Sequence, residues 1–186
     1  MELKAYRRVL HGISGVHATA YDSAGEIDAA LTARIVDGIA AAGIHNIVTG
    51  GNTGEFYSLT VDEVIRLQSI AIEANAGRSA ITAAAGRSLR DAIAIARAAK
   101  AAGADGVMVH HPLDPFAAPH GQVDYFIGVA EAMWAVLNKP CGPLQRQVQP
   151  TSSVSLIFRC KMGAGFVLIR SQRLLMLRQS AVRWPW

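Results

Sequence analysis

A glycine-rich segment at residues 50–55 has the composition of a binding site for a small anion. It reads Gly-Gly-Asn-Thr-Gly-Glu and closes a short β-branched strand predicted at 46–51. Glycines on either side of Asn52 and Thr53 leave several backbone N–H groups exposed, and such groups bind a carboxylate or a phosphate. The alternative is a plain tight turn, because glycine is common in such connections for conformational reasons alone.

Two adjacent histidines, His110 and His111, follow another predicted strand in the same way. A neutral imidazole transfers protons near pH 7, so the pair can supply polar groups to the same site. The alternative is that both are ordinary loop residues. Neither a metal nor a cofactor is expected.

Alternating strands and helices position these residues. The first strand lies in GISGVHATA at 12–20, and a fifth begins at 139–140. Between them the pattern predicts helices at 27–42, 60–76, 88–102 and 122–137, with strands at 46–51, 80–85 and 107–110. Thr60 and Glu63 form a capping box, and Gly43 is placed to end the first of these helices.

A weak internal repeat supports this alternation. Segments 41–51 and 101–111 match as helix end, glycine and strand, and they lie 60 residues apart, which is two units of about 30. Alternation predicts parallel strands with helical crossovers. The run GISGVH lacks the dinucleotide-binding glycine pattern, so a (β/α)8 barrel is favoured over an open sheet. A barrel needs about 250 residues, so residues 1–140 correspond to its first half.

The composition divides the chain at residue 140. All 14 acidic residues and 11 of the 18 basic ones lie in 1–140, which therefore carries −3, while 141–186 carries +7. The high isoelectric point belongs to the second segment, so nucleic acid is not expected as a partner. No apolar run is long enough to span a membrane, and two cysteines suggest the reducing cytoplasm.

The segment GGNTGEFYSLT resembles a signature of the dihydrodipicolinate synthase / N-acetylneuraminate lyase family, and most closely its 5-dehydro-4-deoxyglucarate dehydratase branch. Further pieces stand in family order: D-x-x-G-x-I-D at 22–28, A-G-R-S at 85–88 and A-G-A-D-G-V-M-V at 102–109. The resemblance covers about residues 8–140.

The resemblance implies a class I aldolase-type lyase, in which a lysine forms a Schiff base with pyruvate or a keto sugar acid. It implies that Gly51, Asn52, Thr53 and Gly54 form the substrate loop. The amides of Asn52 and Thr53 would hold the substrate carboxylate, and the Thr53 hydroxyl would assist. Asn52 replaces the usual Thr or Ser of the family, which removes a hydroxyl from the proton relay. The resemblance also implies a homo-oligomer.

Other family residues are missing. Where many members have Thr-Pro-Tyr-Tyr after the fourth strand, this chain has His-Pro-Leu-Asp at 111–114. The Schiff-base lysine is expected near position 170, but Arg170 stands there, and a guanidinium offers no free amine. Lys161 lies about nine residues too early. The chain is therefore expected to be inactive, with a non-catalytic carboxylate binder as the alternative.

Residues 141–186 are expected not to be family sequence, and a shift of reading frame or an alternative end explains their composition. The rival hypothesis is a basic, apolar appendage that lies on an anionic membrane surface, with Trp184 and Trp186 as anchors. A four-unit fragment would leave sheet edges unpaired, so aggregation or self-association is expected.

Overall fold

The computed structural model of the chain describes residues 3–113, 121, 124–129, 154–157 and 167–171. Its elements are α1 (Leu3–Leu10), β1 (Ser14–Val16), α2 (Ala29–Ala41), β2 (Asn46–Thr49), a 3-10 turn (Asn52–Gly54), α3 (Val61–Asn75), β3 (Ala80–Ala85), α4 (Leu89–Ala102), β4 (Gly106–Val109), β5 (Val154–Ile157) and β6 (Val167–Ser171). Residues 124–129 are helical as well.

One six-stranded sheet organises the molecule, in the order β1-β2-β3-β4-β6-β5. Strands β1 to β4 are parallel neighbours, and each is joined to the next by a helix. This confirms the predicted alternation and the parallel βα units of a partial (β/α)8 barrel. The carboxyl ends of these four strands therefore lie at one edge of the sheet.

Side-chain caps set the beginnings of the helices. The side chain of Asp28 accepts from the Leu31 amide, so α2 begins two residues later than the spacing predicts. The predicted capping box is confirmed, since Thr60 and Glu63 bond each other's backbone amides at the start of α3. Gly43 follows α2 with φ of 74°, in the left-handed region where glycine is favoured.

Helix α1 was not expected from the sequence. Its Tyr6 is 2% exposed, and the phenol is hydrogen-bonded to Thr82 of β3. Gly106 makes room for it, because a Cβ there would overlap the Tyr6 hydroxyl oxygen. The helix therefore covers the sheet near the amino ends of β3 and β4.

Odd- and even-numbered residues of the strands point to opposite faces of the sheet. Gly15 lies against Ile39 and Ile44 on the helical side, so odd-numbered positions of β1 point to the helices. Strand register carries this alternation onward, because Val16 pairs with Val48 and Val48 pairs with Thr82. The even-numbered positions form the opposite face, which carries Thr82 and the Tyr6 contact.

The second half of the chain departs from one expectation. The outer edge of β4 was expected to be unpaired, but β6 lies parallel to it, with Val109 beside Ile169. Strand β5 then runs antiparallel to β6. The predicted fifth strand at 139–140 lies outside the described residues, as does most of the predicted helix 122–137. No helix in the described ranges is long and apolar enough to cross a membrane.

Candidate functional site

The glycine-rich loop makes a tight 3-10 turn at the carboxyl end of β2. Gly50 has φ of 73° and Glu55 has φ of 57°, so left-handed residues bracket the turn. Inside it, the Gly54 amide donates to the Gly51 carbonyl at 2.9 Å and the Glu55 amide donates to the Asn52 carbonyl at 3.0 Å. Gly51 is required as glycine, because a Cβ there would lie 2.7 Å from Cγ1 of Val16.

Two backbone amides of this turn are available to a ligand. Within the part of the chain that the structure describes, neither the N–H of Asn52 nor that of Thr53 donates a hydrogen bond. Both residues are exposed, while Gly51 and Gly54 are buried. Free amides at the first positions of a helical turn are a favourable site for a small anion.

The segment that follows β1 holds the loop from one side. The Thr19 hydroxyl donates to the Gly54 carbonyl at 2.8 Å, and the Tyr21 hydroxyl donates to Oε2 of Glu55 at 2.8 Å. Partial burial and the neighbouring Glu55 carboxylate raise the pKa of Tyr21 to about 12. Tyr21 therefore remains a hydrogen-bond donor throughout the physiological pH range.

Arg87, which follows β3, holds the other end of the loop. Its Nη2 donates to the carbonyl of Phe56 at 2.9 Å and approaches that of Tyr57 at 3.4 Å. The guanidinium carbon lies 5.5 Å from the centre of the Phe56 ring, within cation–π range. Arg87 itself has φ of 74°, an uncommon conformation for a residue with a side chain.

The two predicted histidines play different parts. Nε2 of His110 lies 3.1 Å from the Gly50 carbonyl oxygen, and its ring stacks on Phe56 with centroids 4.4 Å apart. Burial lowers the pKa of His110 below its ordinary value of 6.5. His111 contacts the loop through its backbone, since its carbonyl accepts from the Tyr57 hydroxyl at 3.4 Å.

The site thus gathers groups from the ends of β1, β2, β3 and β4. Sequence reasoning identified the loop and His110, but it gave no role to Thr19, Arg87 or Phe56. The rule that strand ends carry function pointed to Thr19 and Arg87. No sequence signal indicated that Phe56 is completely buried beneath His110.

Lysine is absent from the six strands of the described ranges. Arg170 lies in β6, paired in register with Ser155 of β5. Lys161 lies outside the described residues. Across those ranges no group of three or more His, Cys, Asp or Glu residues is placed to hold a metal ion.

Comparisons with known proteins agree on one family. Residues 9–139 match the model of the dihydrodipicolinate synthetase family. A DapA-like lyase from Rhizobium meliloti is 35% identical over 125 residues, which are 66% of this chain and 41% of that protein. A probable 5-dehydro-4-deoxyglucarate dehydratase from Azotobacter vinelandii is 36% identical over 53% of this chain and 32% of its own length.

The fold comparison gives the same result. The crystal structure of dihydrodipicolinate synthase from Bacillus clausii superposes with a TM-score of 0.66 at 38% identity, covering 69% of this chain and 44% of that one. The chain therefore spans less than half the length of these relatives.

Proposed function

Because the chain belongs to the dihydrodipicolinate synthetase family, we propose that its 50–55 loop binds the carboxylate of a small 2-keto acid such as pyruvate. The observation that carries the proposal is the pair of amides at Asn52 and Thr53, which donate to no group among the described residues. They lie at the carboxyl ends of the strands, where (β/α)8 enzymes bind their ligands. The relatives' names supply the chemistry: a lyase, a dehydratase acting on a sugar acid and a dihydrodipicolinate synthase.

The parent chemistry is that of a Schiff-base lyase or synthase, and we propose that residues 1–186 do not carry it out unaided. Schiff-base formation needs a lysine amine aimed at the keto carbon. The described strands offer none, and the guanidinium of Arg170 stays protonated. The second candidate function is binding of a keto acid without turnover, which the intact loop favours.

We propose that residues 141–186 do not continue the family's barrel. The family match ends at residue 139, and the antiparallel β5 has no counterpart in a barrel of parallel strands. The test is the coding DNA. If the other reading frames after codon 140 encode no family-like fifth strand and no lysine-bearing sixth strand, a frame shift is excluded as the origin of this segment.

The loop proposal is tested with a substitution that removes one amide. Asn52→Pro deletes the N–H at the first position of the 3-10 turn, where proline is tolerated. Gly51 has ψ of −178°, the extended conformation that precedes proline readily. Asn52→Ala keeps the N–H and is the matched control. We expect wild type and Asn52→Ala to bind pyruvate saturably in an NMR titration, and Asn52→Pro to bind about tenfold more weakly or worse.

Reductive trapping separates the catalytic from the binding hypothesis. The protein is incubated with pyruvate and borohydride and its intact mass is measured, with a full-length family member as positive control. We expect no covalent adduct on this chain. An adduct would show a working lysine, and tandem mass spectrometry would locate it.

We further propose that the protein self-associates. Strand β1 is an edge of the sheet within the described ranges. Ile13, just before it, is 63% exposed, and Val16, its last residue, is 40% exposed. Unpaired edges with apolar side chains promote association, whereas an edge lysine opposes it. Light scattering should show a smaller mass for Ile13→Lys than for wild type. A monomeric wild type would exclude the proposal.

A further inference from the structure

The contact between His110 and Gly50 joins the ends of two strands that are not neighbours. His110 follows β4 and Gly50 follows β2, with β3 between them. Nε2 of His110 lies 3.1 Å from the carbonyl oxygen of Gly50. A carbonyl oxygen can only accept, so Nε2 must carry the hydrogen, and in the neutral ring Nδ1 is the unprotonated nitrogen. The bond therefore specifies the Nε2–H tautomer of His110.

The imidazole is held in place by its surroundings. It stacks on Phe56 at an interplanar angle of 24°, and the Tyr57 ring meets it edge-on at 5.2 Å. Gly86 provides the space, because a Cβ there would lie 2.9 Å both from Cβ of His110 and from Cε1 of Phe56. The ring is thus fixed by packing before it forms its hydrogen bond.

The carbonyl that His110 holds determines the direction of the loop. Gly50 has φ of 73°, in the left-handed region, and the peptide plane after it leads into Gly51, the N-cap of the 3-10 turn. Below the turn, Val16 restricts Gly51. With the Gly50 carbonyl held by His110, the peptide plane between Gly50 and Gly51 is fixed directly before the turn that carries the amides of Asn52 and Thr53.

The two residues in this contact occupy equivalent positions of the internal repeat. In the matching segments 41–51 and 101–111, Gly50 and His110 occupy the same position after their strands. The segment 41–51 provides a glycine whose carbonyl oxygen accepts the hydrogen bond, and the segment 101–111 provides the imidazole that donates it. The two equivalent positions have become donor and acceptor of one bond.

We propose that His110 is a positioning residue for the carboxylate loop, acting through the Gly50 carbonyl and the stack on Phe56. The inference rests on the proposed function, because it assigns the means by which the binding amides of Asn52 and Thr53 are oriented. Burial keeps the pKa of His110 below 6.5, in keeping with a neutral Nε2–H donor at pH 7.

Two substitutions separate the hydrogen bond from the packing. His110→Phe keeps an aromatic ring on Phe56 but has no donor, while His110→Gln loses the ring but keeps an amide donor. His11, exposed near the amino ends of the strands, gives the control variant His11→Phe. We expect pyruvate affinity to fall about fivefold in His110→Phe, the ratio that one hydrogen bond supplies. The pyruvate affinity of His110→Gln should lie within about twofold of the wild-type affinity, and that of His11→Phe should equal it.

Two readouts do not depend on pyruvate. Nitrogen-15 NMR of the imidazole should show the Nε2–H tautomer, and an Nδ1–H tautomer would overturn the inference. Amide hydrogen exchange at Gly54 and Glu55, whose N–H groups donate within the turn, should accelerate in His110→Phe and return towards the wild-type rate in His110→Gln.

The outcomes distinguish this inference from the proposed function. If wild type does not bind pyruvate, the proposed function fails, and tautomer and exchange rates still decide whether His110 orients the loop. If wild type binds and His110→Phe binds equally well, His110 has no positioning role while the loop proposal survives. Weakening confined to His110→Gln would attribute the effect to loss of the stacked ring and overturn the role of the hydrogen bond.

Discussion

The hydroxyl of Thr19 donates a 2.8 Å hydrogen bond to the carbonyl oxygen of Gly54, which lies 35 residues later in the chain. Thr19 is 9% exposed and Gly54 is buried, so this bond is shielded from water. A Cβ on Gly54 would lie only 3.2 Å from the carbonyl oxygen of His17. The turn that bears the amides of Asn52 and Thr53 is therefore anchored to the segment that follows β1, the strand beside β2.

Replacing Thr19 by valine tests this anchor. Valine has nearly the same shape but no hydroxyl, so the Gly54 carbonyl stays buried without its donor, at a cost of about 1–3 kcal/mol. We expect a lower midpoint of urea denaturation and weaker pyruvate binding. Thr19→Ser, which keeps the hydroxyl, should retain more of both properties. Equal stability of Thr19→Val and wild type would mean that the bond does not anchor the turn.

A chain of polar side chains, buried except at Ser14, joins α1 to the first three strands. The Thr82 hydroxyl donates to Oδ1 of Asn46 at 2.8 Å, and Nδ2 of Asn46 donates to Oγ of Ser14 at 3.1 Å. Since Thr82 has one hydrogen and gives it to Asn46, it must accept from the hydroxyl of Tyr6. Tyr6 is therefore the first donor in this series of hydrogen bonds.

Tyr6→Phe should therefore destabilise the protein by about 1 kcal/mol and alter its response to alkali. Burial raises the pKa of Tyr6 to about 12 from 10.0. A raised folded-state pKa favours the protonated form, so this stabilisation is complete below pH 10 and declines as the pH rises towards 12. The stability difference between wild type and Tyr6→Phe should shrink over that interval in urea titrations. A difference that does not change with pH would contradict this assignment.

The sequence predicted features that depend on neighbours close along the chain. The Thr60–Glu63 capping box, the end of α2 at Gly43 and the span of β3 are confirmed because local periodicity and capping chemistry specify them. The loop at 50–55 could be recognised for the same reason.

The contacts that hold that loop could not be predicted in this way. His110 and Gly50 are 60 residues apart, and Arg87 reaches Phe56 across 31 residues. Such pairings depend on strand order and register, which one sequence does not specify. Helix α1 could not be predicted because its eight residues give too short a periodic pattern. It is stabilised by tertiary contacts of Tyr6.

His17 should make the protein sensitive to mild acid. It is 1% exposed, its Nδ1 lies 2.9 Å from the carbonyl oxygen of Ala18, and its Nε2 is buried without a partner among the described residues. Burial lowers its pKa below 6.5. A depressed folded-state pKa means that protons bind the unfolded chain more readily, so stability is greatest above pH 6.5 and falls as the pH decreases below it.

His17→Leu removes this titrating group and the unpaired buried nitrogen together. We expect the free energy of unfolding of the variant to change less than that of wild type between pH 7 and pH 5. His11→Leu, at an exposed site, is the matched control and should keep the wild-type slope. Identical slopes for wild type and His17→Leu would show that His17 is not responsible for acid sensitivity.

Arg87 should affect the mobility of the loop more than the stability of the whole protein. Its Nη2 bonds the Phe56 carbonyl, which favours the folded state, but its Nε is buried without a partner among the described residues, which opposes it. Each effect is about 1–3 kcal/mol, so they largely offset each other. Arg87→Asn removes both, and asparagine tolerates the φ of 74° at this position.

We therefore expect Arg87→Asn to change the free energy of unfolding by less than about 1 kcal/mol while amide exchange at residues 55–58 accelerates severalfold. The measurement is hydrogen exchange read by NMR beside urea denaturation. Arg90→Asn, an exposed substitution in the first turn of α4, is the control for loss of one positive charge. Unchanged exchange at 55–58 would mean that the 3-10 turn and His110 are sufficient to hold the loop. A large global destabilisation would instead show that the hydrogen bond to Phe56 outweighs the unpaired Nε.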